Sequence, residues 1–514
     1  MMMTRTRRAT IAAFALLGGI AAITPVHAED AAIRPPAVAG QFYPGDSVML
    51  AHAVAQYMAD AVTPSPERPT AIVVPHAGYV YSAQIAADAF RQAAAHDYDL
   101  IVLLGTNHTA PPFRGVSIYP GGGFQTPLGV AETDRDLAER LTAADPDFTF
   151  NASVHREEHS IEVQVPFVQT VFPDAQILAA VVGSPDPDLC ARLGKALAEA
   201  VSERRVLIVA SSDLSHYPDY PNARRVDSLT LAAIATLDAD LVRTTLEGHT
   251  RSRIPELSTG ACGEAPILMA IAAARALGAT DAWIISYANS GDTAFGQRDR
   301  VVGYGAVAIG QEKPQSNPAP FADWTAPAPG GSELSQEDRR ALLAFARKTI
   351  TQFLASETVP LARGFDPVLR QNSGAFVTLK KQGRLRGCIG HMDDDLPLCQ
   401  VVGYCALQAA FNDHRFRPVE SPELDAIDLE ISVLTPSVPI AGPADIRVGR
   451  DGVILRKGER SSVFLPYVAT EQGWDRETLL DQLCLKAGLN AGCWASGAQL
   501  YVFQAVAFGE SEQD

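Results

Sequence analysis

Two α/β units of different kinds are predicted. One is a doubly wound, mostly parallel sheet over residues 33–311, and the other is an α+β domain over residues 334–510. Three observations predict them. In the first half, short and nearly continuous apolar runs alternate with amphipathic helical patterns, as strands buried on both faces of a parallel sheet require. In the second half, two strand-like runs fold back on themselves around glycines, the pattern of antiparallel hairpins. Between the halves, Glu312 to Glu333 is rich in Pro, Ala and Ser and lacks hydrophobic periodicity, which makes it a semi-rigid linker. At 514 residues the chain also exceeds what one core sustains, about 250–300 residues.

Taken in order, residues 1–28 read as a secretory signal: Arg5, Arg7 and Arg8 precede an apolar run from Ile11 to Ile23, and Val26-His27-Ala28 supplies small residues for cleavage. Arg7-Arg8 leaves the export route open between two signal types. The run is short for a membrane span, and no other stretch reaches the length of about 18 apolar residues, so the mature chain is expected in solution. Residues 71–75 (AIVVP), 100–104 (LIVLL), 177–182 (ILAAVV) and 205–210 (RVLIVA) read as buried strands. Helical patterns lie around Ser82 to Ala95, Ser160 to Val171, Pro187 to Ser202 and Asp227 to Leu237. After the linker, AFVTLKKQGRLRGCIG reads as a hairpin turning at Gly383 and GVILRKGERSSVFLP as another turning at Gly458. Helices are expected at Gln336 to Ala355, Pro397 to Phe411 and Arg476 to Ala487.

Charge and cysteine usage exclude several classes of function. A formal net charge of −17 argues against a partner with a phosphate backbone or an anionic lipid surface. The 7 cysteines (Cys190, Cys262, Cys388, Cys399, Cys405, Cys484 and Cys493) cannot all pair within one chain. With no C-x-x-C, they form neither a zinc ribbon nor a thioredoxin-type motif, and they are too sparse for a disulfide framework.

The chemistry lies where predicted strands end. AIVVP runs into His76, LIVLLGTN into His108, and RVLIVASSDLS into His216 with Asp213 beside it. Ligands of open α/β sheets bind at the carboxyl ends of the strands, so these side chains are placed to converge on one crevice. Singly, each histidine reads as a hydrogen-bonded structural residue; three at one topological position read as a site for Zn, Cu or Fe. His155, Glu158 and His159 match the H-x-x-E-H spacing of inverted zinc peptidases. Against that, His159 and Glu162 at i and i+3 are expected to look into the same crevice, and a solvated charged helix start is the plain reading. In STGACGEAPI, Cys262 near a helix N-terminus would have its thiolate favoured, Glu264 is a rival ligand, and an inert buried cysteine is the alternative.

PAVAGQFYP (36–44), PHAGYVYSA (75–83), GTNH (105–108), EEHSIEVQVPF (157–167), SSDLSHY (211–217) and TGACGEAPI (259–267) together resemble the Memo family. SGDTAFGQRDRVVGYGAVAI fits as well, so the resemblance spans nearly the whole first domain in order. It implies the fold of class III extradiol dioxygenases, whose non-haem iron is held by two His and a Glu. It also implies metal ligands at His76, His108 and Cys262 here, with Asp213 and His216 nearby. The cysteine in place of a carboxylate points away from ring cleavage and toward copper or iron redox chemistry, with zinc less favoured.

LRGCIGHM (385–392), AAFNDHRFRPV (409–419), LEISVLTP (429–436) and the run 452–489 resemble the AMMECR family. The order of the two is similar to a fusion of components of the three-part AmmeMemoRadiSam system. This implies a radical SAM partner, although a secretory signal would separate the chain from a cytoplasmic one. Arg386, Cys388, His391 and His414 are the candidate site of this half. Cys388 is either a thiol activated by Arg386 or a histidine, or a small side chain beneath a tight backbone approach marked by the flanking glycines.

Three functions follow from these readings. The first is an exported iron- or copper-dependent oxidoreductase acting on an unknown small molecule, with His216 as general base and Asp213 or His159 orienting it or the substrate. The second is a metal-binding or interaction module without turnover. The third is a zinc hydrolase.

Overall fold

The computed structural model describes residues 32–314 and 334–512. The signal over residues 1–28 and most of the linker, residues 315–333, lie outside the described residues.

The first half is built on an eight-stranded mixed sheet. At its centre Pro69–Val74, Val206–Ser211, Leu100–Thr106 and Gln176–Val182 lie side by side, all parallel. Asp281–Asn289 and Gly303–Gly310 continue one edge antiparallel, and Val116–Ile118 pairs antiparallel with Gln176–Val182 at the other. Every residue of Leu100–Thr106 and Val206–Ser211 is buried, so the uninterrupted apolar runs have their cause in helices covering both faces.

On one face the helices Pro187–Val201 and Glu264–Ala276 pack closely. Gly194 permits the approach, since a Cβ there would lie 2.7 Å from the Met269 carbonyl oxygen. Pro187–Val201 starts where expected because Asp186 accepts a hydrogen bond from the Leu189 amide and Pro187 occupies the first turn. On the other face lie Ser47–Ala59, Tyr79–Ala93 and Val165–Val171, joined by the Phe90 and Phe167 rings stacked 5.1 Å apart. The helix expected from Ser160 to Val171 is instead two pieces, His159–Glu162 and Val165–Val171.

The second half holds two four-stranded antiparallel sheets. The hairpins Ala375–Lys381/Arg384–His391 and Gly452–Lys457/Arg460–Phe464 turn through Gly383 and Gly458, both in the left-handed region. The helix Gln336–Ser356 opens with a Ser335–Asp338 capping box. The helix expected from Pro397 is Leu398–Leu407, followed by one turn of π-helix over Gln408–Asn412. Cys484 and Cys493 form a disulfide, and the other five cysteines are free.

The halves touch directly. Gln336–Ser356 packs against Ser47–Ala59, where Lys348 meets Asp60 at 2.7 Å. Arg363 pairs with the fully buried Asp88 at 2.6 Å. Arg298, in the loop between the last two strands of the first sheet, donates to Gln400 at 2.9 Å.

Candidate metal centre

His76 and His108 each stand two residues past the end of a central parallel strand, and Asp213 stands two past a third. The strands' shared direction therefore delivers all three to one end of the sheet. The His76 and His108 rings meet edge to face with centroids 5.2 Å apart, and His159 stacks on His108 at 4.5 Å. Cys262 enters from the turn before Glu264–Ala276, its sulfur 3.1 Å from His76 Nε2.

Hydrogen bonds set which ring nitrogens are free. Ser211 Oγ donates to the Ser160 carbonyl at 2.6 Å and accepts from Gln164 Nε2 at 3.0 Å. Its one proton is thereby used, so at 3.0 Å it accepts from His76 Nδ1–H, leaving the Nε2 lone pair facing Cys262. His108 is fixed likewise: the Glu158 carboxylate accepts its Nδ1–H at 2.9 Å and its backbone amide at 2.8 Å. A carboxylate or hydroxyl behind an imidazole is the usual arrangement behind a metal-ligating histidine.

Three groups bring their ligand atoms within 4.8 Å of one another: His76, His108 and Cys262; His108, Glu158 and His159; Asp213, His216 and Cys262. In the second, both Glu158 oxygens are already taken by His108 and the Ser160 amide, whereas the first combines two Nε2 lone pairs with a sulfur.

Burial governs the electrostatics. It lowers His76 well below its ordinary value, reinforced by His108, His159 and His216. His216 is lowered to about 4 by burial and then by His108, so its imidazole is neutral at pH 7. Burial likewise lowers His159 and raises Asp213 to about 7. Burial pushes Glu158 up, but the His108 side chain and the amides of Ser160 and His108 outweigh it and keep the carboxyl below its ordinary value. Cys262 is pushed well up by burial and then by Asp213, against the expectation of a thiolate favoured by the helix start. An ion arriving at this sulfur displaces a proton.

Several expectations need correction. The H-x-x-E-H segment is not one helical face: Ala152–His155 ends, the chain turns, and Glu158 caps His159–Glu162 through the Ser160 amide. His155 turns away to Ser117 Oγ at 2.9 Å, so the inverted-peptidase arrangement is absent. Glu162 does not reach the crevice. It is fully buried beneath the entering chain, bound by Arg34 at 2.6 Å, Tyr43 at 2.7 Å and the amides of Ala37 and Val38. Glu264 feels Glu247 on a neighbouring helix and belongs to none of the three groups.

In the second half three of the candidate residues have partners of their own. Arg386 pairs with Glu423 at 2.6 Å, and His391 pairs with Asp395 at 2.5 Å. His414 is exposed. Cys388 receives the Thr378 hydroxyl at 3.3 Å, and burial raises its thiol, so the activation expected from Arg386 or a histidine is not built. A Cβ on Gly387 would lie 2.1 Å from the Ala409 carbonyl oxygen, as the tight-approach reading expects.

Sequence reading passed over Ser211, Ser160 and Gln164, which lock His76. All three lie inside the family-like segments SSDLSHY and EEHSIEVQVPF, which is the signal that could have found them.

Comparison with known proteins agrees with the resemblance read from sequence. The family model described as Memo-like protein matches residues 34–308, and that described as AMMECR1 matches residues 343–508. A MEMO1 family protein of Aquifex aeolicus is 34% identical over 276 residues, covering 53% of this chain and 97% of its own. A protein of Methanothermobacter thermautotrophicus is 44% identical over 185 residues, covering 34% of this chain and 96% of its own. The crystal structure of an uncharacterized protein from Pyrococcus horikoshii aligns with 38% identity and a TM-score of 0.32, covering 33% of this chain and 90% of that one.

Proposed function

This chain belongs to the Memo family and carries an AMMECR1 domain in its C-terminal half, and from that premise we propose that it is an exported, iron- or copper-binding oxidoreductase acting on a small molecule. The observation that carries the proposal is the convergence of two imidazoles, each with Nδ1–H engaged and Nε2 free, on the Cys262 sulfur. In this reading His76, His108 and Cys262 hold the ion. Mixed imidazole and thiolate donors suit iron and copper, which would supply one-electron chemistry or O₂ handling.

The chain's own groups do the rest. His216, neutral at pH 7 because burial lowers it, accepts a proton, and Asp213 lies 3.9 Å from its Nε2. A base lowered to about 4 is weak, so it serves a substrate whose proton is made acidic on binding. His159, stacked on His108 and against Phe42 at 4.8 Å, forms an aromatic wall that positions the substrate. Export is supported by the leader-like residues 1–28 and by the Cys484–Cys493 disulfide, which suits an oxidising compartment. An exported chain acts apart from a cytoplasmic radical SAM partner.

A second reading is a metal-binding module without turnover, using the same ligands, with the second half serving as an interaction surface; Gln400 of that half meets Arg298, whose loop also pairs Val302 with His216. The zinc-hydrolase reading loses its helical motif, since Glu158 is spent on holding His108.

The test is purification of the mature chain under anaerobic conditions without added metal, followed by metal analysis beside a His76→Ala/His108→Ala variant. Iron or copper in the wild type, with about one ion per chain fewer in the variant, supports the proposal. If the metal-loaded protein consumes no O₂ with any reductant, the module reading replaces it. Zinc in place of a redox metal, or no metal at all, overturns it.

A further inference from the structure

His216 Nε2 is buried and has no hydrogen-bond partner, which is costly for a polar atom unless something occupies the space it faces. Asp213 Oδ2 lies 3.9 Å from it, and Cys262 Sγ completes a group whose ligand atoms all fall within 4.8 Å. Two ligands of a tetrahedral zinc-type ion are expected about 3.3–3.8 Å apart, so this spacing is close to what an ion would draw in. The three side chains ride on one hydrogen-bonded unit. The His216 amide donates to the Thr259 carbonyl at 3.0 Å, the Ser258 amide to the His216 carbonyl at 3.0 Å, and the Cys262 amide to the Asp213 carbonyl at 3.2 Å. Val302 pairs with His216 from the other side. Asp213 is held through its other oxygen, Oδ1, by the His76 amide at 2.7 Å, so Oδ2 is left to face inward.

We infer that the crevice has two cation positions sharing the Cys262 sulfur: one at His76 and His108, the other at Asp213 and His216. The inference rests on the first position proposed above. The second position offers one nitrogen, one oxygen and the shared sulfur, a mixed set that suits a borderline divalent ion such as zinc or ferrous iron rather than cuprous copper. A thiolate between two ions is balanced by positive charge on both sides. With the second position filled, the lone pair of His216 is taken, so proton acceptance by His216 belongs only to the singly loaded protein.

The test is anaerobic titration of the full-length, chelator-stripped protein with Co²⁺. Stoichiometry is read by equilibrium dialysis with metal analysis, and ligation by the thiolate-to-cobalt absorption band. The wild type is expected to bind about two ions per chain, and His216→Gln and Asp213→Asn about one each with the thiolate band retained. The His76→Ala/His108→Ala variant is also expected to keep about one, while Cys262→Ser loses the thiolate band. Circular dichroism confirms that each variant is folded before it is counted. About one ion in the wild type, unchanged in His216→Gln, overturns the second position and leaves the first standing. No ion in the wild type overturns both.

Discussion

Glu158→Gln removes one acceptor from a carboxylate that serves three donors. Oε2 takes the His108 amide at 2.8 Å, and Oε1 takes His108 Nδ1–H and the Ser160 amide, each at 2.9 Å. An amide keeps one oxygen. Placed at the Oε1 position, it holds the imidazole but sets its NH₂ against the His108 amide. Turned the other way, it sets NH₂ against Nδ1, and the ring relieves the clash by moving its proton to Nε2, where it blocks the lone pair a metal needs. Either rotamer forfeits a charge-assisted hydrogen bond in a site where Glu158 is 1% exposed, a loss of about 1.5–3 kcal/mol. Loss of an outer partner of a ligating histidine weakens metal binding about 10–100-fold, or about 1.4–2.7 kcal/mol. The assay is anaerobic competition against a chromophoric chelator, with thermal melting of the metal-free protein to separate the folding cost from the binding cost. Affinity within about threefold of wild type would refute the claim that Glu158 orients His108 as a ligand.

Two further predictions concern the fold. Burial lowers His155 to about 3 while its unfolded value is 6.5, so between those values the unfolded chain binds a proton that the native chain does not. Stability should then be complete above pH 6.5 and fall on acidification, by about 1.4 kcal/mol per pH unit from this group, and His155→Gln should flatten that slope in urea titrations run from pH 7 to 4.5; an unchanged slope would show that burial, reinforced by Arg34, does not hold His155 neutral in the native chain. Arg363→Ala leaves the fully buried Asp88 without its cation, and with Lys348→Ala it should cost about 2–4 kcal/mol and let the halves separate on size exclusion after proteolysis of the linker, whereas the nicked wild type should elute as one species.

Much of the chain was legible because its local signals agree with its global arrangement. Strands buried on both faces have no polar side, so 100–104 and 177–182 announce themselves as unbroken apolar runs. Both hairpins declare their turns through Gly383 and Gly458, whose φ of 72° and 60° is costly for other residues. The positions of His76, His108 and Asp213 just past strand ends were equally readable, because parallel strands of one sheet end on the same side.

What stayed hidden depends on groups distant in sequence. The spacing of His155, Glu158 and His159 looked like one helical face, yet the carboxylate gains more by capping a new helix and holding the amide and ring of His108, 50 residues away, than by continuing the first. Glu162 shares a turn with His159 but is claimed by Arg34, 128 residues earlier. Cys262 stands near a helix start, where sequence favours a thiolate, but desolvation and the neighbouring Asp213 reverse the sign. Order along the chain was enough to place the strand ends, the turns and the residues delivered to the crevice. Protonation, tautomer and partner choice were decided only by the tertiary structure, because desolvation and charge act through space among residues that the sequence keeps far apart.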